Sequence, residues 1–336
     1  MKFFSPFLLL FWLLLTLVGC RNDAPPAGTT TGSTTENPGS RGPAPAAKPV
    51  PKFDRDSAYA YVAKQVGFGP RTVNSDAHRA ARRWFVDKLT EFGAEVEEQH
   101  FTAKAFDGTE LRATNVIGRY RPDLKKRVAL YAHWDTRPFA DSELEDDPTA
   151  VVNGADDGAS GVGVLLEIAR QLGQSPPDIG VDIVLLDAED WGTANNTNSW
   201  GLGAQHYARN LRGPKPAYGI LLDMVGARDA RFALEQVSMK YAPRVMAKVW
   251  RLAKSMGSPY FVEEAGGGVT DDHYFINQIA GIPTIDIINH RKDTETGFVA
   301  HWHTGDDNLD KIDRRTLKGV GQVVLAVIYR EAAGTI

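Results

Sequence analysis

Carboxylates stand directly after several runs of Val, Ile and Leu in this chain, and a histidine pair stands near its end. Leu185-Leu186 runs into Asp187-Ala188-Glu189-Asp190, and Leu221-Leu222 runs into Asp223-Met224. Gly154-Ala155-Asp156-Asp157-Gly158 is a third acidic cluster. Ala300-His301-Trp302-His303-Thr304-Gly305-Asp306-Asp307-Asn308 supplies the histidines. Zinc takes His nitrogen and Asp or Glu oxygen, and a catalytic zinc site leaves one position open. One acid after one strand would mean little. Several, together with a late histidine, point to a metalloenzyme.

Such residues need a scaffold that brings strand ends together, and the chain alternates strand and helix patterns. Asp54–Gly67 and Asp76–Phe92 read as helices, with Gly93 as a C-terminal stop. Glu95–Phe101 and Leu111–Tyr120 read as strands, with Asp107-Gly108 at a turn between them. Arg127–Trp134, Val181–Leu186, Tyr218–Leu222 and Ile282–Ile288 read as further strands. Val162, Leu165, Leu166, Ala169 and Leu172 share one helical face. Val245, Val249, Leu252 and Met256 mark another helix, and Arg314–Arg330 a closing one. This alternation predicts a three-layer α/β/α sandwich around a central mixed, mainly parallel sheet. Ligands in such folds bind beyond the carboxyl ends of the strands. His133, Asp135, Glu189, Asp190 and Asp223 fall there.

The N-terminus bears on location. Met1–Gly19 has one lysine, a nearly all-apolar run from Phe3 to Val18, and then Cys20. The run is short for a spanning helix and ends in small residues, so residues 1–19 are expected to be a cleaved export signal. An uncleaved anchor is the alternative. Leu17-Val18-Gly19-Cys20 resembles a bacterial lipoprotein signal, which implies a lipidated Cys20 and a membrane-anchored, periplasmic or cell-surface protein. Cys20 is the only cysteine, so the exported domain has no disulfide. Residues 20–52 are Pro, Gly, Ser, Thr and Ala with hardly an apolar side chain, and are expected to be a disordered tether. Residues 53–336 suffice for one large catalytic domain. The formal net charge is -4 with no basic block, so nothing suggests nucleic acid. The chain is expected to act as a monomer.

Six short motifs in order carry a family resemblance. They are Ala132-His133-Trp134-Asp135, Gly154-Ala155-Asp156-Asp157, Asp187-Ala188-Glu189-Asp190, Leu221-Leu222-Asp223, Thr270-Asp271-Asp272-His273 and Trp302-His303-Thr304. Together they resemble the zinc aminopeptidase-like fold, and within it the animal-type glutaminyl cyclases and their bacterial relatives. The resemblance implies one zinc per chain, with Asp157, Asp190 and His303 as ligands. It implies Glu189 as general acid/base, Asp223 and Asp271 as further active-site acids, and Trp302 as an indole lining the pocket. There are departures. The animal enzymes have Glu-Glu where this chain has Glu189-Asp190, and a histidine where it has Asp286. Their second pocket tryptophan falls near Asn195, so Trp191 or Trp200 is left to replace it. Their disulfide has no counterpart.

The resemblance implies a substrate peptide or protein with an N-terminal Gln. Its α-amine attacks its own γ-carboxamide, closes a five-membered lactam and expels ammonia. The zinc polarises the γ-carbonyl, and Glu189 moves a proton from amine to leaving nitrogen, for which its pKa should be raised. Hydrolysis by a di-zinc aminopeptidase is the alternative. Glu189 would then activate water, and a second metal would use His133 and Asp223 with Asp157 bridging. Other roles compete at single residues. His133 fits a hydrogen-bonded structural histidine, and Asp157 alone would fit a helix cap. His78, His100, His206, His290 and His301 read as surface or supporting residues. Gly266-Gly267-Gly268 and Asn195–Ser199 read as loops at the pocket rim.

Overall fold

The computed structural model describes residues 48–336 apart from Pro148 and Glu295. The expected signal, Cys20 and most of the expected tether lie outside the described residues. The tether's last residues are described and they are docked. The Lys48 ammonium pairs with Asp178 at 2.9 Å, and Gln322 donates to the Pro51 carbonyl. The domain's contacts therefore begin before the expected boundary at 53.

Two helices open the domain, α1 (Arg55–Val66) and α2 (Asp76–Glu91). Each starts where a side chain satisfies free N–H groups: Asp54 accepts from Asp56 and Ser57, and Ser75 accepts from His78. Then come β1 (Glu95–Lys104), β2 (Glu110–Tyr120), β3 (Arg127–His133), α3 (Ala159–Gln174) and β4 (Gly180–Leu186). They are followed by α4 (Leu202–Arg209), β5 (Gly219–Asp223), β6 (Phe232–Leu234), α5 (Gln236–Tyr241) and α6 (Pro243–Ser255). The chain closes with β7 (Phe261–Ala265), α7 (Asp272–Phe275), β8 (Thr284–Ile288) and α8 (Arg314–Ala333).

The main sheet has the order β1-β2-β4-β3-β5-β8. β1 and β2 form an antiparallel edge that joins antiparallel to β4. β4, β3, β5 and β8 are parallel to one another. The α/β expectation therefore holds, with a mixed sheet that is parallel where the acidic clusters lie. β3, β4, β5 and β8 are buried along their whole length. That is why they read as continuous apolar runs. Side chains alternate between two cores. Leu130, Ala132, Ile183, Leu185, Ile220 and Leu222 face α1, α3 and α8, while Ala129, Tyr131, Val184, Leu186 and Leu221 face α4 and α7. At the start of the parallel strands Arg127 makes a buried two-pronged pair with Asp182, at 2.8 and 2.7 Å.

α3 lies close against the sheet because Gly161 has no side chain. A Cβ there would sit 2.3 Å from the Leu222 carbonyl oxygen. Leu222 precedes Asp223, so this contact also sets the depth of a site acid.

Candidate active site and metal centre

The parallel strands point the same way, so their carboxyl ends share one edge. His133 closes β3, Asp187-Ala188-Glu189-Asp190 follows β4, and Asp223 closes β5. Asp157 stands just before α3, Asp271 caps α7, and His303 lies on the loop between β8 and α8. All of these side chains are buried. One donor atom each of Asp157, Asp190 and His303 lie within 4.8 Å of one another. His303 Nε2 is 3.1 Å from Asp190 Oδ1 and 3.7 Å from Asp157 Oδ2.

Backbone clamps hold these ligand-type residues in place. Both oxygens of Asp135 accept from the Glu189 and Asp190 N–H groups, at 3.1 and 3.2 Å. Both oxygens of Asp307 accept from the Asp156 and Asp157 N–H groups, at 2.8 and 3.1 Å. Arg71, fully buried, donates to the carbonyls of Trp134, Asn153 and Gly154. Three non-glycine residues of the site loops have positive φ: Ala188 (53°), Met224 (46°) and His303 (56°). Each costs of order 1–3 kcal/mol, so the clamps hold a backbone that an isolated loop would relax. Gly158 has φ 89°, and a Cβ there would lie 2.9 Å from the Asp135 carbonyl.

His303 is oriented by a residue that the sequence did not single out. Its Nδ1 is 3.1 Å from Asp141 Oδ1, which leaves Nε2 facing Asp157 and Asp190. A carboxylate behind a histidine fixes the tautomer and ring of a metal ligand in this way. Arg137 completes the arrangement. It pairs with Asp141 and donates to the Asp190 and Gly192 carbonyls. The only signal for Asp141 and Arg137 was their spacing of four, which is common on any surface.

The electrostatics favour a cation. Asp190 Oδ2 is buried without a hydrogen-bond partner. Burial opposes a charged His303, yet Asp190 and Asp141 raise its pKa to about 9. Three convergent oxygen and imidazole donors with a fixed ring therefore suit a zinc ion. Burial, then the charge of Asp190, raise the Glu189 carboxyl well above its ordinary value. Burial raises Asp223 to about 8, against the pull of His133. A second group shares Asp157. His133 Nε2 lies 2.9 Å from Asp157 Oδ1 and 3.3 Å from Asp223 Oδ1.

Asp157, Asp190 and His303 floor a cavity of about 280 Å³. Glu189, Asp223 and Asp271 line it beside the three ligand-type residues, and Trp200, Phe298 and Trp302 wall it. Trp302 stacks on His303 with ring centres 3.8 Å apart, and Phe298 stacks on Trp302 at 4.4 Å. Of the two tryptophans left open by the sequence, Trp200 lines the cavity and Trp191 does not. The Trp191 indole packs instead with Val73, Ala105, Leu111, Ala113 and Ala188, edge-on to Phe139. Both expected rim loops contribute, through Thr197 and through Gly268, Val269 and Thr270. His290 also lines the cavity, while His78 and His301 are buried against Asp187 and Asp156.

Residues 115–328 match the profile of peptidase family M28. The chain belongs to that family. Bacterial glutaminyl cyclases are among its close structural neighbours. The glutaminyl cyclase of Bacteroides thetaiotaomicron bound to N-acetylhistamine is 50% identical with a TM-score of 0.81, covering 84% of this chain and 99% of that one. The glutaminyl cyclase of Tannerella forsythia is 45% identical with a TM-score of 0.80, covering 83% and 99%. Aminopeptidase YwaD of Bacillus subtilis is 27% identical over 272 residues, which are 77% of this chain. The chain spans 54% of that relative's length. The zinc-exopeptidase-like fold expected from the sequence is thus the fold of this M28 domain.

Proposed function

We propose that this domain is a glutaminyl-peptide cyclotransferase that converts the N-terminal Gln of peptides or proteins to pyroglutamate with release of ammonia. The observation that carries the reading is the small aromatic-walled cavity, in which Glu189, Asp223 and Asp271 face the Asp157, Asp190 and His303 cluster. The neighbours named glutaminyl cyclases support it. A zinc ion bound by those three residues would polarise the γ-carbonyl and stabilise the charge developing on its oxygen.

The remaining work falls to side chains of this chain. Trp200 and Trp302 hold the Gln side chain folded back toward its own amine, which makes the attack effectively intramolecular and oriented. Glu189 takes a proton from the α-amine as the C–N bond forms and gives it to the departing nitrogen, which leaves as ammonia. Its raised proton affinity suits a group that must both accept and return a proton. Asp223 and Asp271 accept hydrogen bonds from the amine and the leaving amide.

The His133, Asp157 and Asp223 group favours a second reading, a di-zinc aminopeptidase, because it offers ligands for a second metal. Metal counting separates the two. The cyclase reading expects one tightly bound zinc per chain, lost in His303→Ala and kept in His133→Ala. Two per chain, with one lost in His133→Ala, would establish the peptidase centre instead. On the sequence grounds given above, the enzyme acts as a monomer tethered to a membrane through lipidated Cys20, outside the described residues. Cys20→Ser should block maturation at this site, and an exported wild-type protein that keeps Met1 at its N-terminus would contradict the tether.

A further inference from the structure

Behind Asp271 lies a buried acid that the proposed chemistry does not use. Asp286 sits in the middle of β8, fully buried, with its backbone N–H donating to Ser238 Oγ at 2.9 Å. Neither of its carboxyl oxygens meets a hydrogen-bond donor, and Asp271 Oδ2 meets none either. One atom each of Asp271, His273 and Asp286 lie within 4.8 Å of one another. His273 Nδ1 is also unpartnered and stands 3.8 Å from Asp286 Oδ2, while its Nε2 faces Glu235 Oε2 at 3.1 Å.

A buried ionised carboxylate without a donor is strongly unfavourable, and two side by side are worse. Two acceptor groups face each other here, and one shared proton satisfies both. The surroundings decide which acid owns it. Burial raises the pKa of both acids, Asp286 the further; Asp271 Oδ1 accepts from the Asp272 N–H and its side chain lines the cavity, so Asp271 is the better equipped of the two to be the anion. Asp286 has no such donor. The acids that act on it are Asp271 of the α7 cap, Asp223 of β5 and Glu235 of the α5 cap, and the nearest imidazole nitrogen, His273 Nδ1, is 3.8 Å away, beyond hydrogen-bond reach.

We propose that Asp286 remains a neutral carboxylic acid and donates its proton to Asp271, as a positioning residue that keeps Asp271 ionised and aimed into the cavity. Burial and the surrounding acids raise the proton affinity of Asp286 accordingly. The positioning role rests on the cyclase reading, whereas the protonation of Asp286 does not.

Two variants and two readouts test it. Asp286→Asn keeps a donor in the same place, and Asp286→Leu removes it at similar size. In the zinc-loaded enzyme, kcat/KM for a Gln-peptide should stay within a few-fold in the Asn variant. It should fall roughly 10- to 100-fold in the Leu variant, the scale of one hydrogen bond to a charged group. The infrared difference between wild type and Asp286→Asn at neutral pH should show loss of one protonated-carboxyl C=O band. That band is independent of which reaction the site catalyses, so it separates this inference from the cyclase reading, and it needs only the Asn variant to fold. No lost band, wild-type kcat/KM in the Leu variant, or a bound metal that disappears with Asp286→Asn would overturn the proposal. The last result would make the cluster a cation site.

Discussion

Removing the Asp141 carboxylate tests how the metal centre is held. Asp141 touches no other ligand-type residue of the cluster, yet it accepts from His303 Nδ1 at 3.1 Å and pairs with Arg137 at 2.6 Å. Without it the His303 ring, on a backbone with φ 56°, loses the contact that turns Nε2 toward Asp157 and Asp190. Arg137, which also supports the Asp190 carbonyl, loses its partner. A hydrogen bond to a charged group is worth about 1.5–3 kcal/mol. The Asp141 side chain is 45% exposed, so water replaces part of that. The remaining loss, about 1.4 kcal/mol, is a tenfold change in affinity, at the low end of the 10–100-fold typical for such supporting groups. Asp141→Ala should therefore bind zinc about tenfold more weakly in a chelator competition, and kcat should recover when zinc is saturating. Asp141→Asn, which keeps an oxygen acceptor, should lose less. Unchanged zinc affinity in Asp141→Ala would refute the orienting role. A fall in kcat that saturating zinc does not restore would assign Asp141 to something other than metal retention.

Four further outcomes follow from the same geometry. Glu189→Gln keeps the shape of the side chain but cannot take a proton; turnover should fall by roughly 10²–10⁴ with zinc content unchanged, and wild-type turnover would place the proton transfer elsewhere. Because Glu189 must be ionised to accept the amine proton, and burial raises its pKa, kcat/KM should rise with pH through the acid limb. Trp302→Ala removes the aromatic layer over His303 and should raise KM and lower kcat together, whereas Trp191→Phe, outside the cavity, should change neither. Gly161→Ala forces a Cβ against the Leu222 carbonyl and should cost about 1–3 kcal/mol, read as a Tm lower by several degrees.

The parts of the fold that the sequence disclosed are those whose burial is written in apolar runs. β3, β4, β5 and β8 are covered on both faces, so nearly every residue is apolar and the acids that end them stand out. Shorter elements left little trace. β6 is three residues and β7 is largely exposed, while α7 is four residues that continue directly into a wider turn at Ile276–Ala280. Asp190 was legible because it follows a strand and Asp157 because it precedes a helix, while His303, on the loop between β8 and α8, was legible through Trp302-His303-Thr304. Asp141 and Arg137 were not, since they lie in an irregular stretch between β3 and α3 whose path follows from tertiary contacts alone. The choice between Trp191 and Trp200 depended likewise on where that side of the chain turns. Trp191 packs with apolar neighbours and Trp200 packs over Arg137 at 5.0 Å. Asp286 did leave a mark: one acid inside the apolar run Ile282–Ile288.

In the proposed reaction this cavity closes a lactam and does not cleave a main-chain bond. A single peptide beginning Gln-Leu, incubated with the zinc-loaded enzyme and followed by mass spectrometry, offers both fates to one active site. A cyclase gives a product lighter than the substrate by one ammonia, with the peptide chain intact, free ammonia in equal amount, and no change in a matched peptide beginning Leu-Leu. Release of free Gln and then free Leu, with no ammonia, would contradict it and establish an aminopeptidase.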